Sequence, residues 1–151
     1  MSAGPTTGED PRVTTDPDDV RASLARQSFM TLIGARAVVV EPGHVRLELP
    51  FRADLCQQNG YVHAGVVTSL ADSASGYAAL TLMPPGSDVL SVEFKLNLLA
   101  PARGELVRAD ARVVRSGRTL TVCQAEVVAV TDGAADVAVA LMQATMIARR
   151  P

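Results

Sequence analysis

Between Leu55 and Ser87 the chain runs for 33 residues with a single formal charge, Asp72. A run this poor in charge must be covered, either by lipid or by the rest of a folded domain. The twenty residues from Ala64 to Met83 have the length of a bilayer span. However, Gly65, Thr68, Ser69, Asp72, Ser73, Ser75, Gly76 and Thr81 make the segment too polar for lipid. A buried soluble helix over about Ala64 to Leu82 fits better. Pro84-Pro85-Gly86 ends it, because proline cannot continue a helix. Its many small side chains let other elements approach closely on most sides.

The flanking sequence supplies what could cover such a helix. Asp18 or Asp19 can cap a short helix to about Met30, with Val20 and Leu24 facing inward. Ala35 to Glu41 reads as a strand. After the Pro42-Gly43 turn, Val45, Leu47 and Leu49 alternate with Arg46 and Glu48, completing a hairpin. Downstream, Leu90, Val92, Phe94, Leu96 and Leu98 alternate with Ser91, Glu93, Lys95 and Asn97, a strand with one solvated or site-facing side. Leu106 to Arg115, Thr119 to Val130 and about Val137 to Ala148 follow, divided by Ser116-Gly117 and Asp132-Gly133. These closely spaced turns predict an antiparallel meander. The order predicts an α+β fold, one domain over 18–151 with a sheet wrapped on a helix. Residues 1–17, rich in Pro, Gly, Thr and Asp, have little to bury and are predicted to form a disordered tail.

Composition removes several functions. A net charge of −2 and 3% aromatic residues give neither the basic surface nor the stacking platform of a nucleic-acid binder. The N-terminus lacks the basic and apolar regions of an export signal. Cys56 and Cys123 then read as free thiols in a reducing cytoplasm, and no membrane partner is expected. His44 and His63 are the sequence's two histidines and no Cys-x-x-Cys pair occurs, so no metal site is expected. Ser73 and Ser75 lack the flanking glycines of a nucleophile elbow, and no phosphate-binding glycine pattern is present. His44, beside its turn, reads as a surface residue. Arg103, Arg108, Arg112, Arg115 and Arg118 could meet a phosphate-bearing ligand or could simply solvate strand faces.

What remains is the stretch Gln57-Gln58-Asn59-Gly60-Tyr61-Val62-His63-Ala64-Gly65 and then Asp72. A carboxylate amid an apolar helix is costly to bury unless a donor or cation compensates it. Asp72 is therefore either a solvated residue on an exposed stripe or a nucleophile or general base. Gly65 lies near the helix start, where amide groups lack intrahelical partners and the dipole is positive. Such an amide can hold an oxyanion; a glycine there can equally serve close packing. Gly65 and Asp72 share a helix face but sit about 10 Å apart along the axis. One carbonyl cannot touch both in a single chain. If both act, two subunits must share the site, as antiparallel helices about a two-fold axis would arrange.

Gln57-x5-His63-Ala64-Gly65-x6-Asp72, followed by Ser91-Val92-Glu93-Phe94-Lys95-Leu96-Asn97 and Pro101-Ala102, resembles the hot-dog-fold acyl-CoA thioesterases. It looks most like the PaaI-like, phenylacetate-pathway branch, related to 4-hydroxybenzoyl-CoA thioesterases. The resemblance spans about Leu32 to Arg149. It implies a long central helix wrapped by a six-stranded antiparallel sheet, with homodimers commonly pairing into homotetramers. It further implies that Asp72 attacks the thioester carbonyl or activates water, and that the Gly65 amide binds the thioester oxygen. Gln57 would hold thioester or water, His63 would support the loop, and Ser91 would position the water. Asn59 would lie beside the substrate, and Gly117-Arg118-Thr119 would approach the CoA chain. Neither metal nor organic cofactor is implied. Ala64 stands where the family usually has the first glycine of His-Gly-Gly. A module that binds acyl-CoA or acyl carrier protein without turnover is the competing expectation. How Leu70, Tyr77 and Leu80 meet the strands would set the acyl pocket, and aromatic and medium aliphatic groups both remain open.

Overall fold

The computed structural model describes residues 14–149. Two short helices, α1 (Pro17–Arg26) and α2 (Ser28–Ile33), precede the hairpin β1 (Arg36–Glu41) and β2 (His44–Pro50). After a single 3-10 turn at Ala53–Leu55 comes the long helix α3 (Ala64–Leu80). Four strands follow: β3 (Asp88–Leu98), β4 (Leu106–Ser116), β5 (Leu120–Val130) and β6 (Val137–Arg149). The strands form one antiparallel sheet in the order β1-β2-β4-β5-β6-β3, wrapped around α3. This is the hot-dog arrangement.

Period-2 alternation turns one side of each central strand toward α3. Val45, Leu47 and Leu49 of β2, Ala109 and Ala111 of β4, and Ala125 and Val127 of β5 are buried there. They meet Leu70, Ala71, Ala74 and Ala78 of the helix, also buried. Alanine on both surfaces lets helix and sheet approach closely, so one helix fills the concavity. Within this core the Cys123 thiol lies 3.4 Å from the Ser75 carbonyl, and burial pushes its pKa up to about 12. The Ser75 hydroxyl beside it is buried without a hydrogen-bond partner among the described residues.

Several expectations shift. Asp16, not Asp18 or Asp19, caps α1: its carboxylate accepts the Asp18 amide at 2.8 Å, with Pro17 at the first helical position. Proline suits that position because its missing N–H has no helical partner to lose. The helix expected to reach Met30 breaks at Gln27, whose backbone is extended. Gly34, at φ +82°, then closes α2 in the left-handed region. Thr15, placed in the expected tail, is buried, with its amide and hydroxyl donating to the Met83 carbonyl at 2.9 and 3.0 Å. Residues 1–13 of that tail lie outside the described residues. The meander holds for β4-β5-β6, while β3 returns to pair with β6 at the sheet edge. Much of its alternating apolar set is consequently uncovered: Val92 is 54% exposed and Leu98 56%.

His44 is buried rather than superficial. Across the β2–β4 ladder its Nε2 lies 3.0 Å from Asp110 Oδ1, and the Arg46 Nε–H donates to Asp110 Oδ2 at 2.6 Å. Burial alone would raise the Asp110 carboxyl, but hydrogen bonds from His44 and Arg46, with their charges, outweigh it and hold its pKa below the ordinary 3.8. A lowered folded-state value stabilises the fold above pH 3.8 and withdraws that contribution as pH falls through the lowered value. Thermal melts from pH 7 to 2 should therefore show a drop below the ordinary carboxylate range that Asp110→Asn flattens. An unchanged slope in that variant would show that Asp110 is not linked to acid stability.

Candidate active site

Asp72 projects from the middle of α3 and is half-buried. The Ser91 hydroxyl on β3 donates to its Oδ1 at 2.6 Å. Ser91 faces the helix because the β3–β6 register shifts between Ser91 and Glu93. An irregularity of this kind re-aims side chains and is common beside active sites. The apolar helix thus carries its one carboxylate at a point where a hydroxyl meets it. Asp72 and Ser91 line a cavity of about 280 Å³ between α1, α3 and the start of β3. Tyr77 and Leu80 line it too, whereas Leu70 is fully buried and does not.

The helix start is built from a turn and a cap. Gln57 Oε1 accepts the Asn59 amide at 2.7 Å, and the Gln57 amide donates to the Tyr61 carbonyl at 2.8 Å. Gly60 completes this turn at φ +79°, a conformation open to glycine at no steric cost. With Oε1 engaged locally, the Gln57 side-chain NH2 is its donor toward any ligand. His63 then caps α3, its Nδ1 accepting the Gly65 amide at 2.9 Å. In a neutral ring that acceptor role puts the proton on Nε2. A Cβ on Gly65 would lie 3.0 Å from His63 Nδ1, so glycine here permits the cap.

The Gly65 amide, expected to be the free donor, is thus occupied in the unliganded chain. The preceding amide, that of Ala64, has no hydrogen-bond partner among the described residues. Gln57, Asn59, His63 and Ala64 line a second, open cavity of about 590 Å³, bordered also by Leu99 and Pro101. The two cavities share no lining residue. Ala64 and Asp72 are eight residues apart, about 12 Å along the helix.

Gly117, Arg118 and Thr119 border neither cavity. They form the β4–β5 turn, where the Gly117 amide donates to the Leu120 carbonyl at 2.8 Å. The turn lies beside a row of strand partners, Ser116, Thr121, Met146 and Ser91, and hence at the Asp72 end of the sheet. Among the described residues no group of three or more His, Cys, Asp or Glu side chains could hold a metal, and no helix is long and apolar enough to cross a membrane.

Residues 59–135 match the family model of the thioesterase superfamily, just over half of the chain. The chain belongs to the thioesterase superfamily. It is a thioester hydrolase with a hot-dog fold. A crystallised thioesterase family protein of Silicibacter pomeroyi is 47% identical, covering 89% of this chain and 98% of that one, with a TM-score of 0.86. A 1,4-dihydroxy-2-naphthoyl-CoA hydrolase of Listeria monocytogenes is 30% identical over 63% of this chain and 77% of its own length. The PaaI protein from the phenylacetic acid degradation operon of E. coli shares the fold at a TM-score of 0.75 and 19% identity, covering 86% of this chain and 90% of that one.

Two features of this thioesterase escaped sequence reasoning. The spacing of His63 two residues before Gly65 is that of a capping side chain and its amide, a signal that could have been read. The pairing of Ser23 Oγ with Tyr77 Oη at 3.5 Å joins residues 54 positions apart and left no local signal.

Proposed function

We propose that this thioesterase hydrolyses acyl-CoA to a carboxylic acid and CoA in sites shared by two subunits. The observation that carries this reading is the separation of the two half-sites. Asp72 with Ser91 borders one cavity and Ala64, at the helix start, borders another, and the two residues lie too far apart along α3 for one thioester. Two antiparallel helices about a two-fold axis would bring each Asp72 against the helix start of the partner subunit. The uncovered apolar side chains Val92, Phe94, Leu98 and Leu99 give a second copy a surface to bury. Pairing of two such dimers into a tetramer belongs to the same reading, as does a cytoplasmic location, which suits the free thiols Cys56 and Cys123.

In this site the thioester oxygen accepts the Ala64 amide at the positive end of α3, and Gly65 adds its own if His63 swings away. His63 otherwise holds the loop, with its Nε2–H as a further donor. Gln57 and Asn59 hold the thioester from the same loop. Asp72 either attacks the carbonyl carbon, forming an anhydride that water opens, or takes a proton from water that attacks instead. Either route expels CoA thiolate, which takes up the proton, and Ser91 orients the carboxylate or the water. The Gly117-Arg118-Thr119 turn approaches the CoA chain. The relative that hydrolyses an aromatic CoA ester supports the substrate class. Purified protein mixed with a panel of acyl-CoAs should release thiol while eluting at a multiple of the monomer mass. No release across the panel, or release by a strict monomer, would reject the proposal.

A further inference from the structure

Ser91 meets more than Asp72. Its Oγ also lies 3.4 Å from the Sδ of Met146, an acceptor within reach of the same proton. Met146 is the ladder partner of Ser91 on β6, and the ladder continues from it to Thr121 of β5. Its side chain is fully buried, at 0% exposure, so the sulfur is shielded from bulk water. The Ser91 hydroxyl thus stands between the α3 carboxylate on one side and the β6 thioether on the other.

A hydroxyl carries one proton and two lone pairs, so it donates fully to one acceptor at a time. In the resting chain that acceptor is Asp72. The contact is 2.6 Å and charge-assisted, whereas a neutral thioether accepts weakly. The preference reverses once Asp72 loses its charge. Both routes described above pass through such a stage, since Asp72 either takes a proton from water or becomes an anhydride.

We propose that Met146 is a positioning residue that takes over the Ser91 proton at that stage. The inference rests on the reading above, in which Asp72 is base or nucleophile and Ser91 orients the carboxylate or the water. While the Ser91 O–H points at Met146 Sδ, its lone pairs face the cavity shared with Asp72 and accept a water O–H there. Ser91 lines that cavity and Met146 does not. The sulfur therefore acts through Ser91 and touches neither substrate nor water. When the carboxylate is regenerated, the stronger acceptor recovers the proton. A weak second acceptor suits this duty, because a strong one would hold the hydroxyl away from Asp72 throughout.

The test is a double-mutant cycle in the full-length protein, on the acyl-CoA that the parent cleaves fastest. Met146→Leu removes the acceptor at nearly constant volume, a swap that cores tolerate well. It should lower kcat about fivefold and leave KM within about twofold. Ser91→Ala should lower kcat about 30-fold. In that background Met146→Leu should change kcat by less than about 1.5-fold, because no proton remains to be held. An equal loss in both backgrounds marks a packing role and overturns the proposal, as does an unchanged kcat in Met146→Leu alone. Should Met146→Leu not fold, norleucine in place of the methionines exchanges each sulfur for a methylene in both backgrounds and is read the same way. A parent that cleaves no ester, or Ser91→Ala at full rate, defeats the reading of the site itself, and the proposal falls with it. Failure of the cycle in an active parent leaves that reading standing.

Discussion

Asp72→Asn lowers thioester hydrolysis by about 10³-fold, within the range that a positioned general base or nucleophile supplies. The substitution preserves the side-chain volume and leaves an oxygen for the Ser91 hydroxyl, which now meets the carboxylate at 2.6 Å. Because Asp72 is half-buried rather than sealed in the core, its neutral analogue should fold with a melting temperature close to that of the parent. Thiol release measured beside a thermal melt separates chemistry from folding. An unchanged rate in a folded variant removes Asp72 from the reaction.

The second large effect comes from Ala64→Pro. Ala64 is the first residue of α3, and proline is well tolerated there because its fixed φ suits the first turn. The preceding residue, His63, has φ −59° and ψ 137°, the extended geometry that a following proline requires. The variant therefore deletes one N–H while keeping the helix. Loss of one such donor costs about 10²- to 10³-fold in turnover. Co-expression with Asp72→Asn then distinguishes a shared site from a single-chain one. If Asp72 and Ala64 act across the two-fold axis, mixed dimers carry one intact site, and random pairing restores about a quarter of wild-type activity. No recovery from mixed dimers would show that both groups act within one chain.

Much of the fold was legible because its signals are local. Residue patterning located all six strands to within a residue or two, and the glycine and proline turns divided them. Which strands lie side by side is a non-local matter. Nothing in the sequence around β3 says that it pairs with β6 rather than β4, so its apolar residues read as core instead of uncovered edge. His44 was misread for the same reason: its partner Asp110 lies 66 residues away and meets it only through the β2–β4 ladder. In the site, Asp72 stood out as the one charge of an apolar helix, and helical spacing separated it from Gly65. Which helix-start amide is open was not readable, since it depends on the rotamer that points His63 Nδ1 at the Gly65 N–H.

The core thiol of Cys123 offers a clock. With its pKa pushed up to about 12, only about one molecule in ten thousand is ionised at pH 8, and alkylating reagents attack the thiolate. In the intact fold this sulfur is shielded by the helix it packs against, whereas Cys56 is only partly covered. Slow covalent capture of Cys123, resolved from that of Cys56 by mass, would time how often α3 lifts from the sheet. The chain carries its own reporter of breathing, without a label being engineered into it.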